Sequence, residues 1–344
     1  MCAQKLSFDY AHTLHTVRIV HNAHSVHRSR VQKGKSCDCI NFVRATVPTS
    51  GSGGMLIQSV DYIKSKGGNP NNLSLYGQEK NLNTWAICKM NLLLHGLSDH
   101  RIEKGDTIRD PKLTENGELM LFDRVIANPP YSLKNWGREE ASADEFGRFR
   151  FGLPPANAGD YAFVQHMLAT LNHTGKAGVV LPHGILFRGG AEGKIRQGLV
   201  KEDLIEAIIG LPANLFYGTG IPATIILYNK GKEEARQNKI FFIDASRDFQ
   251  EGKNQNVLRD EDVEKIVSTF DNYEEIEKYS RIVTLDEIKE NDYNLNISRY
   301  IDTTEEEEQI DVAKVIQELQ QLELEREKIE ETMYGFLKEL GYCE

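Results

Sequence analysis

The tetrapeptide Asn128-Pro129-Pro130-Tyr131 carries the most specific chemistry in the sequence. Its two prolines fix the backbone and bring no N–H groups of their own. The side-chain oxygen of Asn128 and the carbonyl oxygen of Pro129 can accept hydrogen bonds from a planar NH₂ group, and Tyr131 offers a flat face for stacking. Hydrogen bonds from both hydrogens of the NH₂ group to these two acceptors favour a tetrahedral nitrogen, which can attack a methyl group. A simple Pro-Pro turn is the alternative interpretation.

A glycine-rich turn precedes this motif in the chain. Gly51-Ser52-Gly53-Gly54 stands between a predicted strand and a predicted helix. Glycine permits positive φ angles and lets a ligand approach the backbone closely, and the N–H groups of a helix start attract an anionic group such as a carboxylate. Because glycine turns are common, this pattern alone is weak evidence for a nucleotide-type ligand.

Two carboxylates follow later strand positions. Glu79 lies beyond the end of the next strand, where a carboxylate suits a ribose diol because it can accept hydrogen bonds from both hydroxyls. Asp106 lies in the tripeptide Gly-Asp-Thr and could accept from the exocyclic amine of an adenine ring, with Ile108 packing on the ring face. Alternatively, Glu79 is a helix-start residue favoured by the helix dipole, and Asp106 belongs to a surface turn.

Strand and helix patterns alternate around these residues. Strands are predicted at 40–47, 73–76, 122–127, 177–181, 204–209, 223–229 and 239–243, and helices at 53–66, 79–95, 161–171 and 191–200. This alternation predicts an α/β fold with a largely parallel sheet and helices on both faces. Such sheets bind ligands at the carboxyl ends of their strands. The region 231–298 is charged and is predicted to be mostly helical or irregular outside its strand.

The C-terminal segment has a helical period. Val315, Leu319, Leu322, Arg326, Ile329, Met333, Phe336 and Leu340 follow one another in alternating steps of four and three. This heptad pattern, with one polar position at Arg326, predicts a long helix that pairs with another helix. A helix packed on its own domain is the alternative.

The charge of the chain is concentrated in the same segment. Residues 301–344 contain 14 acidic and 4 basic residues, which accounts for the whole net charge of −10, so the acidic average does not exclude nucleic acid as a partner of the body. No apolar run is long enough for a membrane span and no secretory signal precedes the body, so we expect a cytoplasmic protein without a membrane partner. Five scattered cysteines do not indicate a disulfide framework.

Two further segments have open interpretations. The histidines of 12–27 are spaced in steps of three, with Arg18 in the one gap, but no carboxylate or cysteine joins them at ligand spacing, so no metal site is predicted. The segment 132–160 carries basic and aromatic residues, namely Lys134, Trp136, Arg138, Phe146, Arg148, Phe149, Arg150 and Phe151. Beside a site for an extruded base, these could hold phosphates and support the displaced base, or they could form an ordinary ordered loop.

The order of the motifs resembles that of N6-adenine DNA methyltransferases that use S-adenosyl-L-methionine. The strings LFRGGAEGKIR at 186–196 and IGLPANLFYGTGIPA at 209–223 narrow the resemblance to the modification subunit of type I restriction–modification systems, as does NLNISRY at 294–300. The resemblance covers about residues 48–340. It implies a Rossmann-like class I methyltransferase fold with a long C-terminal helix.

The resemblance also implies roles for the cofactor residues. Gly51, Gly53 and Gly54, with Ser52 between them, would lie under the methionine moiety of S-adenosyl-L-methionine. Glu79 would hold its ribose, and Asp106 the amine of its adenine, beside Ile108.

For the reaction, the resemblance implies that Asn128 and Pro129 hold the N6 amine of a target adenine, with Pro130 fixing the turn and Tyr131 stacked on the base. The target base would be flipped out of the duplex. The implied partners are DNA, a specificity subunit, a second modification subunit and a restriction subunit. The heptad seam, formed by the periodic side chains from Val315 to Leu340, would contact the specificity subunit.

The chain also departs from the family pattern. Val47-Pro48-Thr49-Ser50 replaces the usual Asp-Pro-x-Cys before the glycines, which would remove a carboxylate partner of the cofactor. An upstream Phe/Tyr-Thr-Pro motif and a helical N-terminal domain are missing, so residues 1–39 are interpreted as an atypical segment before a catalytic domain at 40–300 and an acidic helical tail at 301–344. These departures leave open a catalytically impaired remnant or assembly subunit. A methyltransferase for another planar amine or amide, in RNA or protein, is a further alternative.

Overall fold

The computed structural model describes residues 43–216, 219–302 and 312–342. Within these residues the strands are β1 Val43–Val47, β2 Leu73–Glu79, β3 His100–Lys104, β4 Thr114–Glu115, β5 Glu118–Leu119, β6 Phe122–Ala127, β7 Leu171–Pro182, β8 Ile205–Gly210, β9 Ala223–Asn229, β10 Lys239–Asp244 and β11 Ser280–Thr284. The histidine pattern of 12–27 lies outside the described residues.

The α-helices are α1 Gly54–Ser65, α2 Leu82–Leu94, α3 Arg138–Ser142, α4 Asp160–Ala169, α5 Gly190–Lys201, α6 Asp260–Asn272, α7 Leu285–Glu290 and α8 Val312–Glu339. Short 3₁₀ turns lie at Pro70–Asn72, His183–Leu186, Glu234–Arg236 and Ile297–Arg299. No helix in the described part of the chain is both long enough and apolar enough to span a bilayer.

Nine of these strands form one sheet in the order β11-β10-β8-β9-β7-β6-β1-β2-β3. The strands β3, β2, β1, β6 and β7 are mutually parallel, as the alternation of strands and helices predicts. β9 runs antiparallel between β7 and β8, and β11 is antiparallel to β10. The prediction of a largely parallel sheet is therefore confirmed for the half that contains the candidate site, and β9 and the unpredicted edge strand β11 are antiparallel exceptions.

Both faces of the sheet are buried. In β6, Ile126 belongs to one apolar cluster, whereas Val125 and Ala127 belong to a second. The first cluster includes side chains of α1 and α6, and the second includes side chains of α4 and α5. Because successive strand residues point to opposite faces, this division shows helices on both sides of the sheet, as predicted.

Most of the predicted elements agree closely with the structure. The strands predicted at 122–127 and 223–229 match β6 and β9 residue for residue. β7 extends well beyond the predicted 177–181, because Leu171 and Lys176 pair with Phe122 and Arg124 of β6, with a register shift between the two pairs. In the region 231–298, which is predicted to be mostly helical or irregular, β11 adds an edge strand that the sequence analysis does not identify.

The C-terminal helix α8 belongs to a separate compact unit, which begins after Asp302. Along this helix, the seam side chains that the structure describes are exposed, with Leu322 61% and Phe336 61% accessible. The pairing of this seam with another helix stays a prediction, as do the domain limits at 39 and 300.

Close packing at Gly77 of β2 sets the spacing between β1 and β2. Val47 pairs with Gly77 in the parallel register, and a Cβ atom at Gly77 would lie 2.2 Å from the Ser50 hydroxyl and 3.2 Å from the Val47 carbonyl. A Cβ atom there would displace the Ser50 hydroxyl from the carbonyls of Val47 and Gln78 and would crowd the Val47 carbonyl, next to the glycine turn.

We therefore expect Gly77→Ala to lower the free energy of unfolding by about 1–3 kcal/mol, the usual cost of overpacking a core. Urea denaturation monitored by circular dichroism measures the change. Gly220→Ala is the control, because a Cβ there has no neighbour within 4 Å and Gly220 is not at positive φ. Equal stability of the Gly77 variant and the wild type would contradict this packing.

Candidate active site

The glycine turn connects β1 to α1 and is held by a carboxylate of β2. Gly51 has φ +55° and Gly53 has φ +86°, conformations that favour glycine. The N–H of Gly51 donates to Glu79 Oε2 at 3.0 Å, and the N–H of Asn81 donates to Glu79 Oε1 at 2.9 Å. Each carboxylate oxygen keeps a further lone pair, so Glu79 can fix the turn and still accept from a ligand hydroxyl.

The residues before the glycines are integrated into the fold. The side chain of Val47 is fully buried in the core, so its position favours an apolar residue here. The Ser50 hydroxyl is directed at the carbonyls of Val47 and Gln78, at 3.1 and 3.3 Å. The N–H of Ser50 donates to the Gln78 carbonyl at 3.0 Å. Although residues 47–50 depart from the family pattern, hydrogen bonds from Ser50 therefore still connect the glycine turn to β2.

Asp106 organises the next loop along the edge of the sheet. Its Oδ1 accepts the N–H groups of Ile108 and Arg109 at 3.0 and 3.1 Å. Its Oδ2 lies 3.0 Å from Lys80 Nζ and 3.4 Å from Arg109 Nη1. Burial raises the pKa of Asp106, but these hydrogen bonds and the Lys80 charge outweigh burial, and the pKa lies below its ordinary value. Asp106 is therefore an ionised acceptor at neutral pH.

A cleft of about 570 Å³ joins Glu79 and Asp106 at the carboxyl ends of the strands. Pro48, Thr49, Gln78, Lys80, Asn81, Leu82 and Thr107 line it beside the two carboxylates, and Pro130, Leu133, Trp136 and Phe163 provide its other wall. This volume lies within the range of sites for drug-sized ligands. The glycines 51, 53 and 54 are not among the lining residues, but the turn that they form begins directly after Thr49.

The side chain of Ile108 is buried and packs with residues that line the cleft. Its side chain is 1% exposed and lies in an apolar cluster with Trp136 and Phe163. It does not line the cleft, whereas Leu133, Trp136 and Phe163 do. Packing of Ile108 on an adenine face stays a prediction, and the structure offers other apolar side chains for that contact.

The Asn128–Tyr131 turn follows β6 at the same edge of the sheet. Asn128 and Pro130 are exposed, Pro129 is buried and Tyr131 is half-buried. No hydrogen bond within the described part of the chain engages the Asn128 side chain, so its oxygen is free to accept from a substrate amine. Pro130 lines the cleft, which brings the motif to the same cavity as Glu79 and Asp106.

Tyr131 packs edge-on against Phe216, with ring centroids 6.4 Å apart. Its hydroxyl is buried and has no partner among the described residues. Burial raises the pKa of this hydroxyl well above its ordinary value, and the charge of Asp160 adds to the effect. Tyr131 is therefore a neutral aromatic surface at any physiological pH.

Arg109 connects the two walls of the cleft. It contacts Asp106 and also donates from Nη2 to the carbonyl of Asn135 at 2.7 Å, in the loop that follows the Asn128–Tyr131 turn. Its Nε donates to Glu140 at 3.0 Å.

Sequence analysis did not identify Lys80, Arg109 or Phe163, because single residues between motifs carry no spacing signal. The Trp136 side chain was identified, but as a possible support for a displaced base.

The basic residues of 132–160 divide into structural and exposed groups. Arg148 is 4% exposed, forms an ion pair with Asp144 at 2.7 Å and donates to the carbonyls of Thr107 and Ile108 at 3.0 and 2.7 Å. Burial lowers the pKa of His166 to about 3, with Arg148 contributing, so its ring is neutral beside Arg148. Arg148 is thus a structural residue.

The other cations of this segment differ in their contacts. Arg150 pairs with Glu202 and packs over the ring of Phe151, 4.4 Å from its centroid. The Arg138 Nε donates to the Pro154 carbonyl at 3.2 Å. Lys134 is exposed. The ordered-loop interpretation therefore holds for Arg148, and Lys134 is the cation of this segment best placed for an external anion.

Comparison with known proteins gives one consistent family. Residues 44–309 match the family model described as N-6 DNA Methylase. The chain is 40% identical to the type I restriction enzyme MjaVII methylase subunit of Methanocaldococcus jannaschii over 85% of this chain and 51% of that protein. It is 35% identical to the HindI methylase subunit of Haemophilus influenzae over 76% of this chain and 59% of that protein.

Solved structures agree with this result. The methyltransferase subunit of a type I restriction–modification system from Streptococcus thermophilus superposes with a TM-score of 0.73 at 35% identity, covering 83% of this chain and 58% of that chain. The EcoKI M protein shares the fold at a TM-score of 0.61 and 20% identity, over 90% of this chain and 70% of that chain. The chain spans about half the length of the curated relatives that it matches.

The structural assignment of Arg148 has a measurable consequence. Arg148→Met leaves the carboxylate of Asp144 buried without its cation, so we expect the free energy of unfolding to fall by about 3–5 kcal/mol. Lys134→Met, an equivalent change at an exposed site in the same segment, should alter it by no more than about 0.5 kcal/mol. Urea denaturation of both variants measures the difference. Wild-type stability of Arg148→Met would show that the buried ion pair is not as described.

Proposed function

Because the chain belongs to the N-6 DNA methylase family, we propose that it transfers a methyl group from S-adenosylmethionine to the N6 atom of adenine in DNA. The observation that carries the proposal is a single cleft that contains Glu79 and Asp106 on one side and Pro130 of the Asn128–Tyr131 turn on the other. A cofactor site and an acceptor site for an aromatic amine therefore meet at one edge of the sheet.

The residues around the cleft fit the chemistry of the cofactor. The ionised Asp106 can accept from the amine of its adenine, Glu79 can accept from its ribose hydroxyls, and the apolar side chains of Leu133, Trp136 and Phe163 can pack against the ring. The glycine turn 51–54 opens helix α1, whose first N–H groups favour a carboxylate. A Cβ atom at Gly51 would meet no neighbour within 4 Å, so the backbone there is open to a ligand.

When bound, S-adenosylmethionine supplies an electrophilic methyl group. The protein's contribution is to orient the acceptor amine. The Asn128 side-chain oxygen and the Pro129 carbonyl accept hydrogen bonds from the two amine hydrogens, which directs the nitrogen lone pair away from the ring plane. Tyr131 and Phe216 provide an aromatic surface for the extruded base.

We further propose that the chain acts within a type I restriction–modification complex. The relatives are named as methylase subunits of such enzymes, which supports DNA and other subunits as partners. A specificity subunit, a second modification subunit and a restriction subunit are the proposed companions. The exposed heptad seam of α8 is a suitable surface for the specificity subunit. The family pattern at 47–50 is replaced without loss of the turn, which favours a working enzyme over an impaired remnant.

Calorimetric titration of the purified chain with S-adenosylmethionine tests the cofactor site. We expect binding that Asp106→Ala weakens about 10- to 100-fold, because a charged hydrogen bond contributes about 1.5–3 kcal/mol. Asp110→Ala is the matched control, since Asp110 lies four positions away and its exposed carboxylate pairs with Lys112 at the surface. Absence of binding by the folded wild-type chain would favour the impaired remnant.

Transfer of labelled methyl groups to DNA, measured with the specificity subunit present, tests the acceptor site. Asn128→Ala should retain cofactor affinity and lose at least about 100-fold in transfer rate, as expected when one preorganised hydrogen-bonding group is removed. Methylation of RNA or protein in place of DNA would overturn the proposed substrate.

A further inference from the structure

The Asn128–Tyr131 turn is fastened to the protein by a buried carboxylate that the proposed chemistry does not use. The side chain of Asp160, the first residue of α4, is fully buried, and its Oδ1 accepts the N–H of Ser132 at 2.8 Å. Ser132 directly follows Tyr131 and has φ +48°, a conformation that non-glycine residues adopt rarely. The hydrogen bond from Ser132 therefore stabilises an unfavourable backbone conformation beside the motif.

Arg188 balances the charge of this carboxylate. Its Nη2 donates to Asp160 Oδ2 at 2.9 Å and to Glu192 Oε1 at 3.1 Å, and its Nε lies 2.8 Å from Glu192 Oε2. Glu192 is 3% exposed, whereas the Arg188 side chain remains 33% exposed. A buried carboxylate without a cation is unfavourable, so the ion pair with Arg188 stabilises Asp160 in the position where it accepts from Ser132.

Other contacts hold the later part of the same loop. Gly159 donates to the Leu133 carbonyl at 3.1 Å, and Trp136 Nε1 donates to the Pro155 carbonyl at 2.8 Å. Of the hydrogen bonds described for this loop, the one from Ser132 lies nearest to Tyr131 along the chain. Loss of this bond would free the turn that carries the two acceptors while the rest of the loop stays attached.

From this geometry we infer that Arg188 is a positioning residue for methyl transfer, acting through Asp160 and the Ser132 backbone on the Asn128–Tyr131 turn. The inference rests on the proposed function for its effect on rate. Arg188 lies in the segment between β7 and α5, so it connects that segment to the turn at the end of the neighbouring strand β6. The side-chain oxygen of Asn128 and the carbonyl of Pro129 depend on this connection for their arrangement.

Hydrogen–deuterium exchange of the full chain tests the connection directly. In Arg188→Gln we expect the peptide that spans 128–136 to exchange at least about tenfold faster than in the wild type, because local opening requires less free energy. The matched control is Arg236→Gln. Arg236 Nη1 lies 3.2 Å from Oε1 of Glu206, another buried glutamate, at the amino end of β8, so this variant also removes an arginine from a buried carboxylate. Exchange at 128–136 should be unchanged in this control.

Single-turnover transfer in the complex with the specificity subunit gives the second measurement. Arg188→Gln should lower the transfer rate about 10- to 100-fold, since small misplacements of reacting groups have effects of this size. Its dissociation constant for S-adenosylmethionine should stay within about twofold of the wild-type value, because Arg188 does not line the cofactor cleft. Arg236→Gln should match the wild type in both measurements.

The outcomes separate this inference from the proposed function. Wild-type exchange at 128–136 in Arg188→Gln overturns the positioning role, whatever the transfer assay gives. A wild-type chain that transfers no methyl group refutes the proposed function, while the exchange experiment still decides whether Arg188 holds the turn. If Arg188→Gln does not fold, Arg188→Lys replaces it. A lysine keeps the charge but lacks the planar fork, so its exchange should be intermediate.

Discussion

The parallel pairing of β1 with both β2 and β6 is the constraint on which the site depends. Because all three strands run in the same direction, the loops that follow Val47, Glu79 and Ala127 emerge at one edge of the sheet. The packing of Ser50 against Gly77 brings the first two loops into contact, and the Gly51–Glu79 hydrogen bond fixes them. Backbone geometry therefore places the glycine turn, the Glu79 carboxylate at the end of β2 and the Asn128–Tyr131 turn after β6 close together.

Charged side chains then connect loops that the sheet alone only brings near one another. Arg109 joins the Asp106 loop to the loop after the acceptor turn, and Arg188 joins the segment after β7 to the start of α4. In both networks an arginine bridges carboxylates or carbonyls from distant parts of the chain. Its planar donor fork suits this role, since it can satisfy several acceptors in a fixed arrangement. The Asn128–Tyr131 turn is thus held by contacts with the rest of the protein, while the Asn128 side chain is exposed.

Local patterns predicted the parts of the structure that depend on local interactions. Largely apolar segments such as 223–229, and the apolar end of 122–127, identify strands buried on both faces, and motif order identified Glu79, Asp106 and Pro130 among the residues of the cleft. Strand direction depends on pairing between distant segments, so β9 could not be recognised as antiparallel from its own residues. β11, at the sheet edge, has too few apolar residues to stand out. The burial of Arg148 and Ile108 results from contacts across the loop 132–160, which composition does not reveal.

A crystal structure of the chain with S-adenosylhomocysteine would show whether one cleft joins a cofactor site to the Asn128–Tyr131 turn. We expect the adenine amine to lie within hydrogen-bond distance of Asp106, the ribose hydroxyls to contact Glu79, and the sulfur to face the Asn128–Tyr131 turn. A ligand bound elsewhere, or one whose sulfur faces away from that turn, would refute this arrangement.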